Sequence, residues 1–548
     1  MTYQQIFDPV AHSVTLSAVF ASLPLLTLFL LLGVLRWEAR WAALTSLAVS
    51  ICVAVGIYRM PLAQSVSGAA EGAAVGFFPI IWVGINAIWV YKLTEVSGHS
   101  ITLPRVLNSL NEDVRIQAIL IAFCFGALLE ALAGGGSPVA ICAVMLIALR
   151  VPPVQAAAIC LIADTSPVSF GALGLPISTL SNLTGLSASS LSAMVGRQTP
   201  LLAIFIPFTL LYLLDGKRGI RQVWPFALVA GVSFGACQFI GSMALPLELV
   251  DIVAAIISTV VCVGFLRVWS PAVTLSQATL PTDVEVAGGN PPSSQKAVEP
   301  TVTKSELSYA VLPYVLIVII VGLAQLNPVR DLLSKTTSTF AWPGLRVMDP
   351  SGMIVTAVTA RFEWVLSAGS LVLIAGTLVA PLLGLSLRTA AKTYRQTFFS
   401  LRWAIVTVSA VVGVAYVMNL SGQIITLGMC AAGAGRAFAP ISPLVGWLGS
   451  SVTGSDTSSN ALFGMLQVTT ARHSGLSEVL LAAANTSGGV CGKAISPQNL
   501  SIAAVAVGLA GREGDLFRKV FGWTVLMIAL LSLLVFLQSG TLAWMIPS

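Results

Sequence analysis

Apolar stretches long enough to cross a bilayer recur from one end of this chain to the other. A soluble protein of this size carries about a quarter charged residues, whereas 9% of these 548 residues are charged and 56% are hydrophobic. The runs are continuous rather than alternating, which excludes an outer-membrane barrel and leaves an all-α polytopic membrane protein. About 12 spanning helices are expected, over 17–35, 41–58, 73–91, 116–132, 199–214, 224–243, 247–268, 309–326, 364–386, 403–418, 437–453 and 520–538. The first is read as a retained span, because no Lys or Arg precedes Arg36 as a signal peptide would require. A stretch rich in Pro, Gly, Ser and Thr, 269–308, reads as a polar cytoplasmic linker between an N-terminal half, 1–268, and a C-terminal half, 309–548.

Two polar, glycine-bearing interruptions in this apolar background resemble each other. Residues 163–176 read ADTSPVSFGALGLP and residues 484–497 read ANTSGGVCGKAISP. Ala163, Thr165, Ser166, Gly171 and Pro176 recur as Ala484, Thr486, Ser487, Gly492 and Pro497, with Asp164 and Asn485 as near-isosteres. The wider units are 128–179 and 449–500, an internal repeat. Basic residues cluster after 17–35, between 73–91 and 116–132, after 199–214, after 364–386 and before 520–538. Placing these clusters in the cytoplasm puts both termini outside, and 327–363 outside as a long loop. The two repeat units then enter from opposite faces, an inverted-topology repeat of the kind found in secondary transporters.

Within the first unit, the pieces 138–149 and 153–161 are too short to span comfortably and read as arms of a re-entrant hairpin or as broken helices. Gly134, Gly135 and Gly136 free the backbone there, and Ser137-Pro138 and Ser166-Pro167 read as helix caps. In the second unit, Asp456 and Asn460 share a helix face, and Ser496-Pro497 is again a cap. Helix starts suit a carboxylate, so two of them meeting at midplane form an anion site, to which Lys493 adds a full charge. Glu130 stands alone near the end of an otherwise uncharged span, an expensive position that points to proton binding; Asp164 and Asp456 are the further candidates. Glu71, at the start of an apolar run, is expected at the interface, as are Arg472, His473 and Glu478. Eight scattered cysteines without a C-x-x-C, and three histidines without helical pairing, predict no metal and no cofactor. The net charge of +6 follows from basic loops on one face and needs no nucleic acid.

The segments FDPV (Phe7–Val10), FCFGALLE (Phe123–Glu130), MVGRQ (Met194–Gln198), TGSDTSSNALF and AANTSGGVCGKAISPQ resemble the bacterial lactate permease family, and the resemblance runs the length of the chain. It implies proton-coupled uptake of L-lactate, D-lactate and glycolate across the bacterial inner membrane, by hairpin-containing inverted repeats and elevator-type alternating access. On that reading Ser137, Thr165, Ser166, Asn460, Thr486, Ser487, Lys493 and Ser496 hold the substrate. Glu130, Asp164 and Asp456 couple protons, and Gly134, Gly135, Gly136, Gly171 and Gly492 shape the backbone. The chain departs from the family in its first unit. It has LEALAGGGSPVA where LEGAAGFGAPVA is usual, and Asp164-Thr165-Ser166 where Asn-Thr-Ala is usual. Other readings are a carrier for another small organic anion, including a sodium-coupled one, a channel, and a membrane redox enzyme. A dicarboxylate carrier would call for a second buried cation, for which only Arg436 offers itself. The missing His, Cys and nucleotide motifs argue against a redox enzyme or any other enzyme.

Overall fold

The computed structural model describes residues 2–547 apart from 36, 100–101, 103–110, 133, 135, 276–303, 325, 356–357 and 511. Among these residues, eight helices are long and apolar enough to cross a membrane, or eleven if each bent pair counts as one span. The chain is thus an all-α polytopic membrane protein. The elements that build its centre are α1 (Leu62–Val96), α2 (Val114–Leu132), α3 (Ser137–Ala148), α4 (Pro153–Ala163), α5 (Gly171–Thr184), α6 (Thr199–Ala244), α7 (Leu247–Phe265), α8 (Arg402–Ser421), α9 (Ser442–Thr453), α10 (Asp456–Ser474), α11 (Glu478–Lys493), α12 (Pro497–Ala506) and α13 (Glu513–Gln538).

α6 contains both of the spans expected at 199–214 and 224–243. It breaks at Asp215 and Gly216, where Gly216 takes a φ of 58°, and its arms fold back on each other. Gly231 lies against Ile204 and Gly235 against Pro200, and the Thr199 hydroxyl donates to Gln238 Oε1 at 2.9 Å. α1 begins at Leu62, well before the expected 73, and the cause is packing. Gly68, Gly72 and Gly76, four apart, lay one bare strip along α8: a Cβ on Gly72 would lie 2.7 Å from Gly413 Cα, and one on Gly76 2.8 Å from Ser409 Cα. Small residues at this spacing let helix backbones approach inside a membrane. Glu71 therefore lies inside the protein and not at the interface: it is fully buried, and neither of its carboxylate oxygens has a partner. α1 is interrupted at Phe78-Pro79, where Phe78 is extended at φ −129° and Pro79 lacks an N–H for the helix ladder.

The long loop at 327–363 is more ordered than its polarity suggests. It holds a helix, Asn327–Ser334, and a hairpin pairing Thr337–Ala341 with Thr359–Glu363. Val347–Met348 pairs with Tyr3–Gln4, so the N-terminus and this loop share one face. On the opposite face Arg115 joins three segments. It pairs with Asp113 at 2.7 Å and Asp215 at 2.9 Å, and donates to Gln222 Oε1 and the Val273 carbonyl. Most of the expected linker lies outside the described residues; 269–275 returns to Val114, whose N–H donates to the Leu275 carbonyl.

Each repeat opens with a helix pair that reverses at glycine. α2 turns through Gly134 and Gly136 into α3, with Gly126 3.5 Å in Cβ distance from Cys142. α9 turns through Gly454 and Ser455 into α10, with the Ser459 hydroxyl on the Gly446 carbonyl. Both units contact the first arm of α6. α2 starts beside Asp215, while α11 passes Gln198, which accepts from the Ser487 hydroxyl at 2.7 Å. Those two points are about 25 Å apart along the helix at 1.5 Å per residue.

The units are not copies in detail. α4 ends at Ala163 and the chain is irregular through Asp164–Pro167, whereas α11 stays helical through Asn485, Thr486 and Ser487 and unwinds only after Lys493. Pro167 stands where the second unit has Gly488, and proline removes the N–H and disfavours helix before it. Gly488 and Gly492 are needed in the second unit because α11 packs directly on α9: a Cβ on either would collide with the Pro443 or Trp447 carbonyl.

The glycine strip gives a test. Gly72→Leu overpacks the α1–α8 contact and is expected to cost about 1–3 kcal/mol, read as a lower melting temperature in detergent. Gly56→Leu, at a position open to space, should leave the melting temperature unchanged.

Candidate functional site

Three helix starts converge near the middle of the chain's core. Gly136, in the left-handed region at φ 81°, precedes α3; it, and not Ser137, occupies the cap position. The reason is close approach, since a Cβ there would lie 2.7 Å from Asn499 Oδ1. The Ser137 side chain and Gly135 lie outside what the structure describes. Ser455 caps α10 by accepting from the Ser458 N–H. Ser496 caps α12 by accepting from the Asn499 N–H at 3.3 Å. Asn499 Nδ2 then reaches the Gly454 carbonyl at 3.2 Å, so both repeat turns touch the start of α12. Ser166 does not cap a helix: its hydroxyl has no partner, and Pro167 precedes only a short turn, Val168–Phe170.

Lys493, the last residue of α11, lies at the centre of this convergence. Its Nζ is 2.5 Å from Glu130 Oε1 and 2.9 Å from Asp164 Oδ2. All three side chains are buried. Glu130 Oε2 and Asp164 Oδ1 have no hydrogen-bond partner. Gly171 makes room for Glu130, because a Cβ there would sit 3.0 Å from Oε1. Gly134, at φ 58°, packs against Ala172. Asp456 is also buried, and both of its oxygens are without a partner. Among the described residues, the buried cations are Lys493 and Arg115, and Arg115 is neutralised by Asp113 and Asp215.

A cavity of about 510 Å³ leads to this centre. Its inner end carries Glu130, Asp456 and Lys493, and its mouth carries Arg40, Lys92 and Trp403; Arg40 stacks on Trp403 at 3.8 Å. A second cavity of about 330 Å³ opens beside the strand Thr359–Glu363 and reaches Tyr416 and Asn182. Ile80 and Leu175 line both cavities. Leu175 is aimed by a left-handed turn at Ala172, Leu173 and Gly174, with φ of 43°, 60° and 72°. Such a conformation costs about 1–3 kcal/mol per non-glycine residue and clusters at functional sites.

The hydroxyl and amide residues of the repeat lie behind this wall. Thr165 donates to the Ile162 carbonyl. Asn460 Oδ1 accepts from Asn485 Nδ2 at 2.9 Å and from Thr486 Oγ1 at 3.1 Å, and Asn460 Nδ2 donates to the Pro176 carbonyl. Ser487 donates to Gln198. These bonds tie α10, α11 and the first repeat together, and none of these residues lines the 510 Å³ cavity. Two further buried groups are polar, and for Asp251 the sequence signal is a carboxylate inside the expected span 247–268. Asp251, at the start of an apolar run, accepts from Gln238 Nε2 at 2.9 Å and leaves its other oxygen unpartnered. Gln238 also donates to the Ser166 carbonyl. Arg436 is exposed, and Arg472 pairs with Glu478 on the surface.

Fold and site together define a multi-pass integral membrane protein with a buried charged centre between two broken repeats. The profile of the L-lactate permease family matches residues 17–542, and the chain belongs to that family. It is 37% identical over its whole length to an L-lactate permease of Bacillus subtilis (strain 168), with 100% of each chain covered. It is 36% identical, again with 100% of each chain covered, to a glycolate permease and to an L-lactate permease of Escherichia coli (strain K12).

Breaking a buried ion pair from one side costs about 3–5 kcal/mol, because the partner charge is stranded. Lys493→Ala should therefore lower the melting temperature sharply. Adding Glu130→Gln and Asp164→Asn to it should restore much of the loss, as read by scanning fluorimetry; a triple variant no more stable than Lys493→Ala would mean that the charges are not coupled.

Proposed function

We propose that this protein is a proton-coupled symporter for small 2-hydroxy monocarboxylates, L-lactate first, with D-lactate and glycolate as related substrates. The observation that carries the reading is the Lys493–Glu130–Asp164 cluster at the end of the 510 Å³ cavity. The relatives' names, L-lactate permease and glycolate permease, support the substrate class. A single cation at the inner end suits one carboxylate. With Arg436 exposed, a dicarboxylate has no second buried partner among the described residues.

Coupling follows from competition for Lys493. With Glu130 and Asp164 both ionised, the ammonium is fully engaged and the site carries net negative charge. An incoming carboxylate about 4 Å from one such uncompensated charge meets roughly 4 kcal/mol of repulsion at an effective dielectric of 20, close to a thousandfold in affinity. A proton on Glu130 removes that charge, releases one donor of Lys493 and leaves Asp164 to orient the ammonium. The proton therefore binds first and the anion second. Release reverses the order, and the empty site resets when Lys493 regains both carboxylates. The starts of α10 and α12 add partial positive charge around the bound anion. Alternating access uses the two cavities in turn, with Ile80 and Leu175 as the partition between them.

The orientation belongs to the same reading. The mouth with Arg40 and Lys92 faces the cytoplasm of a bacterial cell, the chain lies in the inner membrane, and both termini lie outside.

Two measurements test the proposal. In proteoliposomes, Glu130→Gln should abolish pH-gradient-driven lactate uptake while lactate exchange persists; uptake still driven by the gradient would remove Glu130 from coupling. Cysteines placed singly at Arg40 and Lys217 should react with an impermeant reagent only from the cytoplasmic side, and labelling from outside would reverse the orientation.

A further inference from the structure

Asp456 opens α10, but the helix cap is made by its neighbour Ser455. The Asp456 carboxylate is thus left without a backbone partner. It is 2% exposed, both oxygens lack any hydrogen-bond donor, and it lines the same cavity as Lys493. A buried acceptor left unmade costs about 1–3 kcal/mol, and more when charged, so a donor that enters the cavity gains that much by meeting it.

Asp456 lies against α11, the helix that carries Lys493. Gly489 gives Asp456 its space, since a Cβ on Gly489 would collide with Asp456 Oδ1. Gly489 and Lys493 are four apart and share one helix face, about 6 Å along the axis. Asp456 and Lys493 line the same cavity, so its wall presents an ammonium donor and an unpartnered carboxyl acceptor. With a hydrogen bond to each, a ligand that carries an acceptor beside a donor bridges them. A 2-hydroxy acid has that pattern: a carboxylate, and a hydroxyl donor on the next carbon. A 2-oxo acid turns a lone pair toward Asp456, and an unsubstituted acid leaves Asp456 unpaired.

We infer that Asp456 reads the 2-hydroxyl group of the substrate and sets the preference for 2-hydroxy acids over 2-oxo and unsubstituted monocarboxylates. This rests on the proposed lactate-type substrate and assigns a residue to its selection, separate from the proton carrier Glu130.

The test is competition against labelled L-lactate counterflow in proteoliposomes by unlabelled L-lactate, pyruvate and propionate, for wild type, Asp456→Asn and Asp456→Ala. Counterflow needs no proton gradient, so coupling does not enter. Sites built to bond a substrate hydroxyl discriminate strongly against analogues without it. The Asn amide can donate to a keto oxygen, so Asp456→Asn should lower the lactate-over-pyruvate preference by about tenfold or more. Asp456→Ala should do the same for lactate over propionate. The same ratios, read as ligand-induced melting shifts of detergent-solubilised protein, keep the test valid for a variant that binds but does not transport. Failure of wild type to exchange lactate would defeat the substrate proposal itself. Wild-type exchange with ratios unchanged in both variants would overturn the hydroxyl reading alone, as would loss of pH drive in Asp456→Asn with unchanged selectivity.

Discussion

Burying an ammonium in a bilayer-embedded core is tolerable only where carboxylates meet it, and Lys493 meets two. Glu130 and Asp164 come from the first repeat and Lys493 from the second, so this buried electrostatic contact is also a seam between the two units. The match in charge is incomplete. Asp456 faces the same cavity, and with Glu130 and Asp164 it makes three carboxylates against one cation. A centre of this kind cannot hold all its charges ionised and unpaired, which is the basis of the proposed proton and anion binding.

Everything around the cluster serves to let backbone approach it. Gly171 and Gly134 clear space beside Glu130 and Ala172, Gly489 clears space for Asp456, and Gly488 and Gly492 let α11 lie against α9. The strip Gly68, Gly72 and Gly76 does the same for α1 on α8. Ile80 and Leu175, the latter held by the left-handed turn at Ala172–Gly174, line both cavities. The residues shared by the two cavities thus come from an interrupted helix on one side and a strained turn on the other.

The all-α polytopic fold was legible in the sequence because bilayer thickness constrains apolar helices so strongly. The hairpin of α6 fell where two apolar runs flank Asp215-Gly216, and the repeat units fell where glycine and proline interrupt apolar runs. Glu71 shows where that logic stops. Hydropathy places a lone carboxylate at an edge, whereas the Gly68–Gly72–Gly76 strip extends the helix and draws Glu71 inside. The β-hairpin at 337–363 was equally hidden, because short polar strands carry little periodicity. At the site, charged residues stood out since each is costly in a membrane: Glu130, Asp164, Asp456 and Lys493 could be singled out one by one. What a sequence does not carry is who meets whom. The pairing of Lys493 with Glu130 and Asp164, and the engagement of Asn460, Thr486 and Ser487 with one another and with Gln198, depend on tertiary contacts between distant segments.

The central claim is that Lys493 is handed from a carboxylate to the substrate by a proton. The most direct measurement is proton movement itself. Lactate is added to de-energised proteoliposomes in sodium-free buffer while external pH is recorded. The account predicts external alkalinisation that rises in step with lactate uptake and disappears when an uncoupler is present. Lactate uptake with no proton movement, or uptake that begins only when sodium is added, would contradict it.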